Sequence, residues 1–200
     1  MPLVIIDGPE AAGKSTLINS LSEAWGEENL YRHWGPRKSW LEYCGPLFED
    51  LTLCASNPQC LVVWSRSWLS RVVYNKLLDQ GQRIPSTVIS ELDNIVVASG
   101  GLLILVTAPV RVLVERRNER LLDATAKPDH PLDPQREMSE FQAQTSRRKW
   151  KVLSGIDPPE DNVRTIMTLL VQRNPECRMD LRKEEPIAVG YGVSPWTPEE

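Results

Sequence analysis

The feature that most constrains this fold is the stretch 3–16, which reads LVIIDGPEAAGKST. Its branched apolar run predicts a buried strand, and the segment after it has the apolar spacing of a helix. Between them, Gly8 to Ser15 match the pattern G-x-x-x-x-G-K-[ST] in full. Glycines let a tight turn direct backbone N–H groups onto an anion, and the helix N-terminus adds a positive end. The stretch therefore predicts a phosphate-binding loop rather than an ordinary strand-to-helix turn.

Two side chains of this loop have expected roles toward a nucleoside triphosphate. Lys14 can reach the β- and γ-phosphate oxygens, and the Ser15 hydroxyl can bind Mg²⁺. The residues expected to bind the nucleotide are Gly8, Pro9, Glu10, Ala11, Ala12, Gly13, Lys14, Ser15 and Thr16.

Composition narrows the class of protein. The chain has 200 residues, of which 41% are hydrophobic and 25% charged, as expected for one soluble α/β domain. Its net charge of −4 predicts no basic surface for duplex DNA or an anionic membrane. No apolar run approaches the roughly 18 residues of a membrane span, and no signal-peptide pattern precedes the first strand. We therefore expect a cytoplasmic protein whose partner is a small molecule.

The cysteines do not indicate a metal site. The chain has four, Cys44, Cys54, Cys60 and Cys177, and none forms a C-x-x-C pair. The two histidines, one of them His33, also lie far apart in the sequence. Reduced, partly buried thiols are expected rather than structural zinc.

Strand-like and helix-like segments alternate along the chain, which predicts an α/β fold: a three-layer P-loop sandwich with a mainly parallel five-stranded sheet. After the first strand, we expect strands at 30–34, 60–64, 102–106 and 152–153. We expect helices at 15–25, 39–55, 68–79, 86–98, 110–122, 134–150 and 160–173, with Gly45-Pro46 interrupting the second. Residues 1–173 then form one domain with a lid at about 116–136, and 174–200 form an extended tail.

The order of motifs resembles the thymidylate-kinase-like family of P-loop nucleotide kinases over roughly residues 2–173. Besides the phosphate loop, the resemblance rests on three segments: 65–70 (SRSWLS), 106–109 (VTAP) before an arginine-rich helix, and 156–158 (IDP). It implies transfer of the γ-phosphate of ATP, with Mg²⁺, to a (deoxy)nucleoside monophosphate in nucleotide biosynthesis. Thymidylate itself is favoured only by the resemblance. Homodimers are common in the family.

The resemblance implies roles for two carboxylates near the first glycine of the loop. Asp7 precedes Gly8 and is a candidate for binding substrate and metal. Glu10 occupies the position that the family uses near the 3′-hydroxyl of the acceptor sugar, which makes it a candidate catalytic and substrate-binding residue. A solvated loop side chain is the alternative for Glu10.

The segment after the third strand departs from the family at one position. The family has D-R-x-x-x-S there, and this chain has Ser65 in place of the aspartate. Arg66 matches the arginine that clamps the acceptor phosphate, a task that suits the paired donors of a guanidinium. The missing aspartate usually helps to hold hydrated Mg²⁺, so Ser15 with Asp7 or a water shell is the expected ligand set.

The family supplies the arginine that stabilises the moving phosphoryl group from either the phosphate loop or the lid. The phosphate loop of this chain contains no arginine, so the resemblance implies that the lid provides it. The candidates are Arg116, Arg117 and Arg120, which are spaced so that at least one faces inward. A solvated helix face paired with Glu115 and Glu119 is the alternative.

The acceptor and adenine sites are less defined by the sequence. Arg37 follows the second strand, where the family places another phosphate-binding arginine. Trp40 could stack on a base, and Tyr74 falls where the family often has an aromatic residue near the base. A surface arginine and core aromatics are the alternatives.

Asp157 lies in the segment that resembles the loop passing the adenine of ATP. Four tryptophans are expected in the part of the chain that faces the acceptor: Trp34, Trp40, Trp64 and Trp68.

Acceptor chemistry favours a nucleoside monophosphate kinase. A kinase of hydroxyl groups needs a carboxylate base near the acceptor, and related kinases carry one at the end of the second strand. This chain has no carboxylate in 31–34 (YRHW). The first alternative is a hydroxyl kinase acting on a nucleoside, polynucleotide or modified base with Asp7 or Glu10 as base. The second is a degenerate P-loop protein that binds nucleotides without turnover.

Overall fold

The computed structural model describes residues 2–34, 41–79, 84–122, 132–146 and 148–174. A parallel five-stranded sheet lies at its centre, with strand order β2-β3-β1-β4-β5. The strands are β1 (Leu3–Asp7), β2 (Leu30–Trp34), β3 (Leu61–Ser65), β4 (Leu102–Thr107) and β5 (Lys151–Ser154). The sheet and its flanking helices confirm the α/β fold that the alternation predicts.

Seven α-helices connect or follow the strands in the described part of the chain. They are α1 (Lys14–Trp25), α2 (Leu41–Ser56), α3 (Trp68–Leu78), α4 (Ser86–Ala98), α5 (Val110–Leu122), α6 (Pro134–Thr145) and α7 (Pro159–Arg173). A short 3₁₀ turn, Glu27–Asn29, precedes β2. No helix in these described ranges is both long and apolar enough to cross a bilayer.

Two hydrophobic cores lie on opposite faces of the sheet. Successive side chains of a strand point to opposite faces, so Val4 and Ile6 of β1 join one core and Leu3 and Ile5 join the other. Helices α1 and α7 supply much of the first core, and α2, α3 and α4 supply much of the second. Burial on both faces explains why β1, β3 and β4 are continuously apolar rather than alternating.

The strand order places the functional loops beside one another. β1 lies between β3 and β4, with Ile6 opposite Ser65 and Asp7 opposite Leu105. The loops that leave these three strands therefore meet at the carboxyl edge of the sheet, where open α/β sheets bind ligands. They contain the phosphate loop, Arg66 and Ala108.

Helix α6 is shorter than predicted: it ends at Thr145, not Trp150. The chain then turns, and the Arg148 amide donates to the Thr145 carbonyl at 2.9 Å. This turn brings the Trp150 indole into the core, where its N–H donates to Asp93 at 3.0 Å. A buried indole needs an acceptor for its N–H, and Asp93 on α4 supplies it.

Helix α2 continues through Gly45-Pro46, so the predicted interruption is wrong. Pro46 has no N–H to donate to the carbonyl four residues earlier. Its neighbours Tyr43 and Leu47 are fully buried in the second core. Burial of these two side chains explains why the helix tolerates the loss of one backbone hydrogen bond.

Two of the tryptophans expected near the acceptor are core residues instead. Trp64 and Trp68 are buried, and their indoles donate to Asp50 at 2.6 Å and to Asp93 at 2.8 Å. Four parts of the chain lie outside the described residues: the side chain of Trp34, all of Trp40, the central part of the predicted lid (123–131) and the tail after Asn174.

Candidate functional site

The phosphate loop has the backbone that its glycines predict. Gly8 has φ 144° and Gly13 has φ 101°, both in the region that favours glycine. A Cβ on Gly8 would lie 2.1 Å from the Val106 carbonyl oxygen of β4, so no larger residue fits there. Ala11 is also left-handed, at φ 63°. The loop is thus pressed against the sheet before it enters α1.

Gly155 is a site residue that the sequence analysis missed. It follows β5, and a Cβ on it would lie 1.7 Å from the carbonyl oxygen of Ala12. The loop after β5 can approach the phosphate loop this closely only because residue 155 has no side chain. The signal in the sequence was a glycine immediately before the segment that resembles an adenine-binding loop.

Lys14 lies over the loop rather than in solvent. It is 7% exposed, and its Nζ donates to the carbonyl oxygens of Gly8 at 2.8 Å and Pro9 at 2.7 Å. Burial, with the charge of Arg66 as the second cause, lowers the pKa of Lys14 to about 8. The ammonium group is therefore partly desolvated, and phosphate oxygens at this loop would be strong partners for it.

Asp7 is fully buried and binds the start of α3. Its carboxylate accepts hydrogen bonds from the backbone and hydroxyl of Ser67 at 2.8 and 2.7 Å. It also accepts from the Ser70 amide at 3.3 Å, from the Ser70 hydroxyl, and from the Gly8 amide at 3.1 Å. One carboxylate thus joins the phosphate loop to the segment that carries Arg66.

The positions of Ser15 and Asp7 differ in how well they suit the expected binding of Mg²⁺. Ser15 is exposed and lines the cleft at the phosphate loop, which fits a phosphate-bound Mg²⁺ that takes few protein ligands. Asp7 does not line that cleft, and it would have to give up donors from Ser67 or Ser70 to bind a metal directly. Within the described ranges, no group of three His, Cys, Asp or Glu side chains could hold a metal ion.

Arg66 projects from a strained turn. Its φ is 67°, which a non-glycine residue adopts at a cost of about 1–3 kcal/mol. Its amide donates to the Ile6 carbonyl at 3.1 Å, and the next residue, Ser67, is bound by Asp7. These contacts hold the turn in place. The guanidinium lies 6.0 Å from the centre of the Tyr74 ring.

Positive side chains converge on a cleft of about 270 Å³ above the phosphate loop. Lys14 comes from the phosphate loop, Arg66 from the end of β3, and Arg120 from α5. The carboxylate of Glu10 lies beside them, 3.7 Å from Arg120. The lining is completed by Ala11, Ala12, Gly13, Ser15 and Ser65. Three cations against one carboxylate make this cleft suitable for a polyanion.

The three arginines predicted to act from a lid have different partners. Arg116 donates to the carbonyl oxygens of Ala11 at 3.1 Å and Gly155 at 3.0 Å. Arg117 donates to the Leu132 carbonyl at 2.9 Å and to the Glu137 carboxylate. Arg120 lines the cleft and keeps 55% of its side chain exposed. Of these three arginines, Arg120 is the one whose side chain lines the 270 Å³ cleft.

A second cleft, of about 290 Å³, continues from the other side of Gly13. It contains two residues expected to bind nucleotide, Thr16 and Asp157, together with Arg116. The rest of its lining is Leu17, Val106, Gly155, Ile156, Pro158, Pro159 and Asn162. A mostly apolar lining with a few polar groups, next to a phosphate loop, suits a nucleobase and its sugar.

Glu137 is the second site residue that the sequence analysis missed. It is 1% exposed and accepts hydrogen bonds from the Glu10 amide at 2.8 Å and the Tyr74 hydroxyl at 2.5 Å, besides Arg117. Burial, followed by the charge of Glu137, raises the pKa of Tyr74. The signal was a glutamate on the buried face of α6, one residue before Met138 and four before Phe141.

Tyr74 therefore lies beside Arg66 but has a protein partner for its hydroxyl. Arg37 and Trp40, the other residues expected to bind the acceptor, lie outside the described part of the chain. Arg32, which precedes them on β2, donates to Asn19 of α1 at 3.0 Å.

Solved structures share this fold at low sequence identity. The YorR protein from Bacillus subtilis, solved in complex with phosphorylated GDP, superposes with a TM-score of 0.60 at 16% identity, over 86% of this chain and 98% of its own. Polyphosphate kinase 2 from Arthrobacter aurescens superposes with a TM-score of 0.63 at 12% identity, over 92% and 71%. A putative polyphosphate kinase 2 from Pseudomonas aeruginosa gives 0.63 at 14%, over 89% of this chain and 42% of its own.

These likenesses establish the fold. No protein-family model matches the sequence, and a comparison with curated proteins gives no match.

Proposed function

We propose that this protein is a P-loop phosphotransferase that moves the γ-phosphate of ATP to the phosphate of a (deoxy)nucleoside monophosphate. The observation that supports it is the convergence of Lys14, Arg66 and Arg120 on one cleft from three separate elements. Donor and acceptor phosphates both carry negative charge, so a reaction between them needs positive charge from several directions.

The donor side is formed by the phosphate loop and the second cleft. The amides of the loop and Lys14 bind the phosphates, while Thr16 and Asp157 border the cleft for the nucleoside. Arg116 holds the phosphate loop against Gly155 through two carbonyl oxygens, so it shapes this site. Mg²⁺, held at Ser15, would neutralise phosphate charge when bound.

The acceptor side centres on Arg66, which the strained turn after β3 presents to the cleft. Glu10 borders the same cleft and suits the hydroxyl groups of an acceptor sugar, while Arg120 stabilises charge on the moving phosphoryl group. Arg117 acts here as the counter-charge of Glu137.

The names of the solved neighbours agree with transfer between phosphate groups. One neighbour holds phosphorylated GDP, and two others are named polyphosphate kinases. Thymidylate-kinase-like specificity rests only on the resemblance carried by the phosphate loop and by the motifs at 65–70, 106–109 and 156–158.

A second candidate function is phosphorylation of a hydroxyl group. It is favoured by Glu10, a carboxylate that lines the cleft and could serve as a general base. The proposal and this alternative differ in the acceptor, so a panel of acceptors separates them.

The test is phosphoryl transfer from labelled ATP, with Mg²⁺, to nucleoside monophosphates, nucleosides and polyphosphate. We expect product with at least one monophosphate, and we expect Lys14→Ala to lower kcat by at least about 100-fold, the scale of losing one charge-stabilising group. Lys76→Ala is the matched control, because Lys76 is an exposed lysine that pairs with Glu140 and is not among the residues lining the cleft. Turnover of nucleosides but not monophosphates would select the hydroxyl kinase. Nucleotide binding without any transfer would select the degenerate binder.

A further inference from the structure

We propose that Glu137 is the positioning residue of this site. Its single carboxylate holds three groups that belong to three other elements: the Glu10 amide in the phosphate loop, the Tyr74 hydroxyl on α3 and the Arg117 guanidinium on α5. The inference deepens the proposed function and rests on it, since Glu10 lines the cleft of phosphoryl transfer and Tyr74 lies beside Arg66, which lines the same cleft.

The geometry leaves little freedom at this carboxylate. One oxygen accepts from the Glu10 amide at 2.8 Å and the Tyr74 hydroxyl at 2.5 Å, and the other accepts from Arg117. The side chain is 1% exposed, so water does not offer substitute partners. A buried acceptor that is shared by three donors restrains all of them, and its removal takes this partner away from each of the three.

Electrostatics explains why Arg117 belongs to this network. A lone buried carboxylate next to a phosphate-binding loop would repel a polyanion and would be costly to desolvate. Arg117, with 13% of its side chain exposed, forms an ion pair with Glu137 and cancels this charge. The Arg117 Nε finds no acceptor among the described residues, so its orientation follows from Glu137 and the Leu132 carbonyl.

The contact with Glu10 links this network to the cleft. The Glu137 carboxylate fixes the peptide group before Glu10, and the Pro9 carbonyl accepts from the Ala12 amide at 3.3 Å in the same turn. The Glu10 carboxylate is thereby placed at the cleft, 3.7 Å from Arg120. Glu10 lines that cleft and Glu137 is not among its lining residues, so Glu137 acts through Glu10 and is not itself a catalytic residue.

Helix α6 has other attachments to α3, so the role of Glu137 can be separated from docking of the helix. Lys76 and Glu140 form an ion pair at 2.7 Å, and the rings of Tyr74 and Phe141 meet edge to face at 6.0 Å. Glu140 lies one turn after Glu137 on the same helix. Glu140→Gln is therefore a matched control that removes a carboxylate from α6 without touching the phosphate loop.

The kinetic test compares Glu137→Gln with Glu140→Gln. Glutamine keeps the size and one acceptor oxygen, but in either orientation its NH₂ group faces a donor, Arg117 or the Glu10 amide. We expect Glu137→Gln to lower kcat by about 10–100-fold, the scale of a misplacement near 1 Å, with a smaller change in the KM for ATP. Glu140→Gln should retain the wild-type kcat. Equal kcat values for the two variants and wild type would overturn the proposal.

A double-mutant cycle separates positioning from a merely structural role. If Glu137 acts through Glu10, Glu137→Gln should lower kcat much less in a Glu10→Ala background than in wild type. Full additivity of the two effects would contradict the assignment, because two independent defects add.

A measurement that needs no turnover keeps this inference distinct from the proposed function. Hydrogen exchange of the Glu10 amide, measured in the full-length protein by NMR, should be slow in wild type and in Glu140→Gln, and at least about tenfold faster in Glu137→Gln. If wild type transfers phosphate to no acceptor but shows this pattern, the proposed function fails and the positioning contact stands. An unchanged Glu10 exchange rate in Glu137→Gln would refute the contact itself.

Discussion

At the scale of a single residue, burial sets the pKa of Lys14 and therefore its charge at a given pH. Two carbonyl oxygens of its own loop hold the ammonium, and desolvation lowers its pKa to about 8. Because this value lies below the ordinary 10.5, the charged lysine destabilises the folded state. The free energy of unfolding should therefore rise between about pH 8 and 10.5 through this group. Phosphate binding has the opposite preference, since it needs the charged form.

The affinity for ADP should therefore depend on pH. Without Mg²⁺, we expect weaker binding as the pH rises from about 7.5 through about 8, where free Lys14 loses its proton and the phosphates of ADP are already ionised. Isothermal titration calorimetry at a series of pH values measures this. The Lys14→Arg variant stays charged over the range and should give a flat profile. Parallel profiles for the two proteins would show that Lys14 is not the titrating group.

At the scale of elements, helix α3 is attached to the phosphate loop by the side chain of Asp7, the last residue of β1. Ser67 caps the helix by accepting a hydrogen bond from the Leu69 amide at 3.1 Å. The Asp7 carboxylate accepts hydrogen bonds from both Ser67 and Ser70. This attachment holds the left-handed turn at Arg66 in place. The phosphate loop and the turn that carries Arg66 are thus connected through one buried carboxylate.

Asp7→Asn should destabilise the protein without changing its use of metal. Its NH₂ group would face donors of Ser67 or Ser70, at a cost of about 1–3 kcal/mol. A protein of this size loses roughly 2–4 °C in Tm per kcal/mol. We expect a lower Tm by thermal melting and an unchanged Mg²⁺ concentration for half-maximal transfer. Asp79→Asn is the control, because Asp79 is exposed and asparagine tolerates its φ of 51°. A changed Mg²⁺ requirement with an unchanged Tm would instead identify Asp7 as a metal ligand.

At the scale of the whole molecule, Asp93 joins three segments that are distant in the sequence. This buried carboxylate on α4 accepts from the Trp68 indole at 2.8 Å and the Trp150 indole at 3.0 Å, with Arg148 3.9 Å away. It therefore connects α3, α4 and the turn after α6 within the second core.

Asp93→Ala should destabilise the whole fold. Two buried indole N–H groups would lose their acceptor, at about 1–3 kcal/mol each. We expect a clear fall in the midpoint of urea unfolding with little change in the m-value. Glu91→Ala on the exposed side of the same helix is the control and should leave the midpoint within the range of ordinary surface changes. Equal midpoints for the two variants would show that Asp93 does not hold these segments together.

The sequence by itself determined the parts of this protein that depend on neighbouring residues. The spacing of Gly8, Gly13 and Lys14 specifies the phosphate loop, because a tight turn and a helix start are local structures. The alternation of strand-like and helix-like segments specifies a parallel sheet. The continuously apolar strands indicate that both faces of this sheet are buried. The tertiary structure confirms this fold.

Only the tertiary structure decided which side chains meet at the site. Asp7 and Ser67 are 60 residues apart in the chain, and Glu10 and Glu137 are 127 apart. Partners at such separations depend on strand order and helix packing, which residue spacing does not encode. The same reason explains why the sequence left Arg116, Arg117 and Arg120 equivalent. The structure gives them three different partners and leaves Arg120 facing the cleft, because the paths of α5 and α6 set the direction of each side chain.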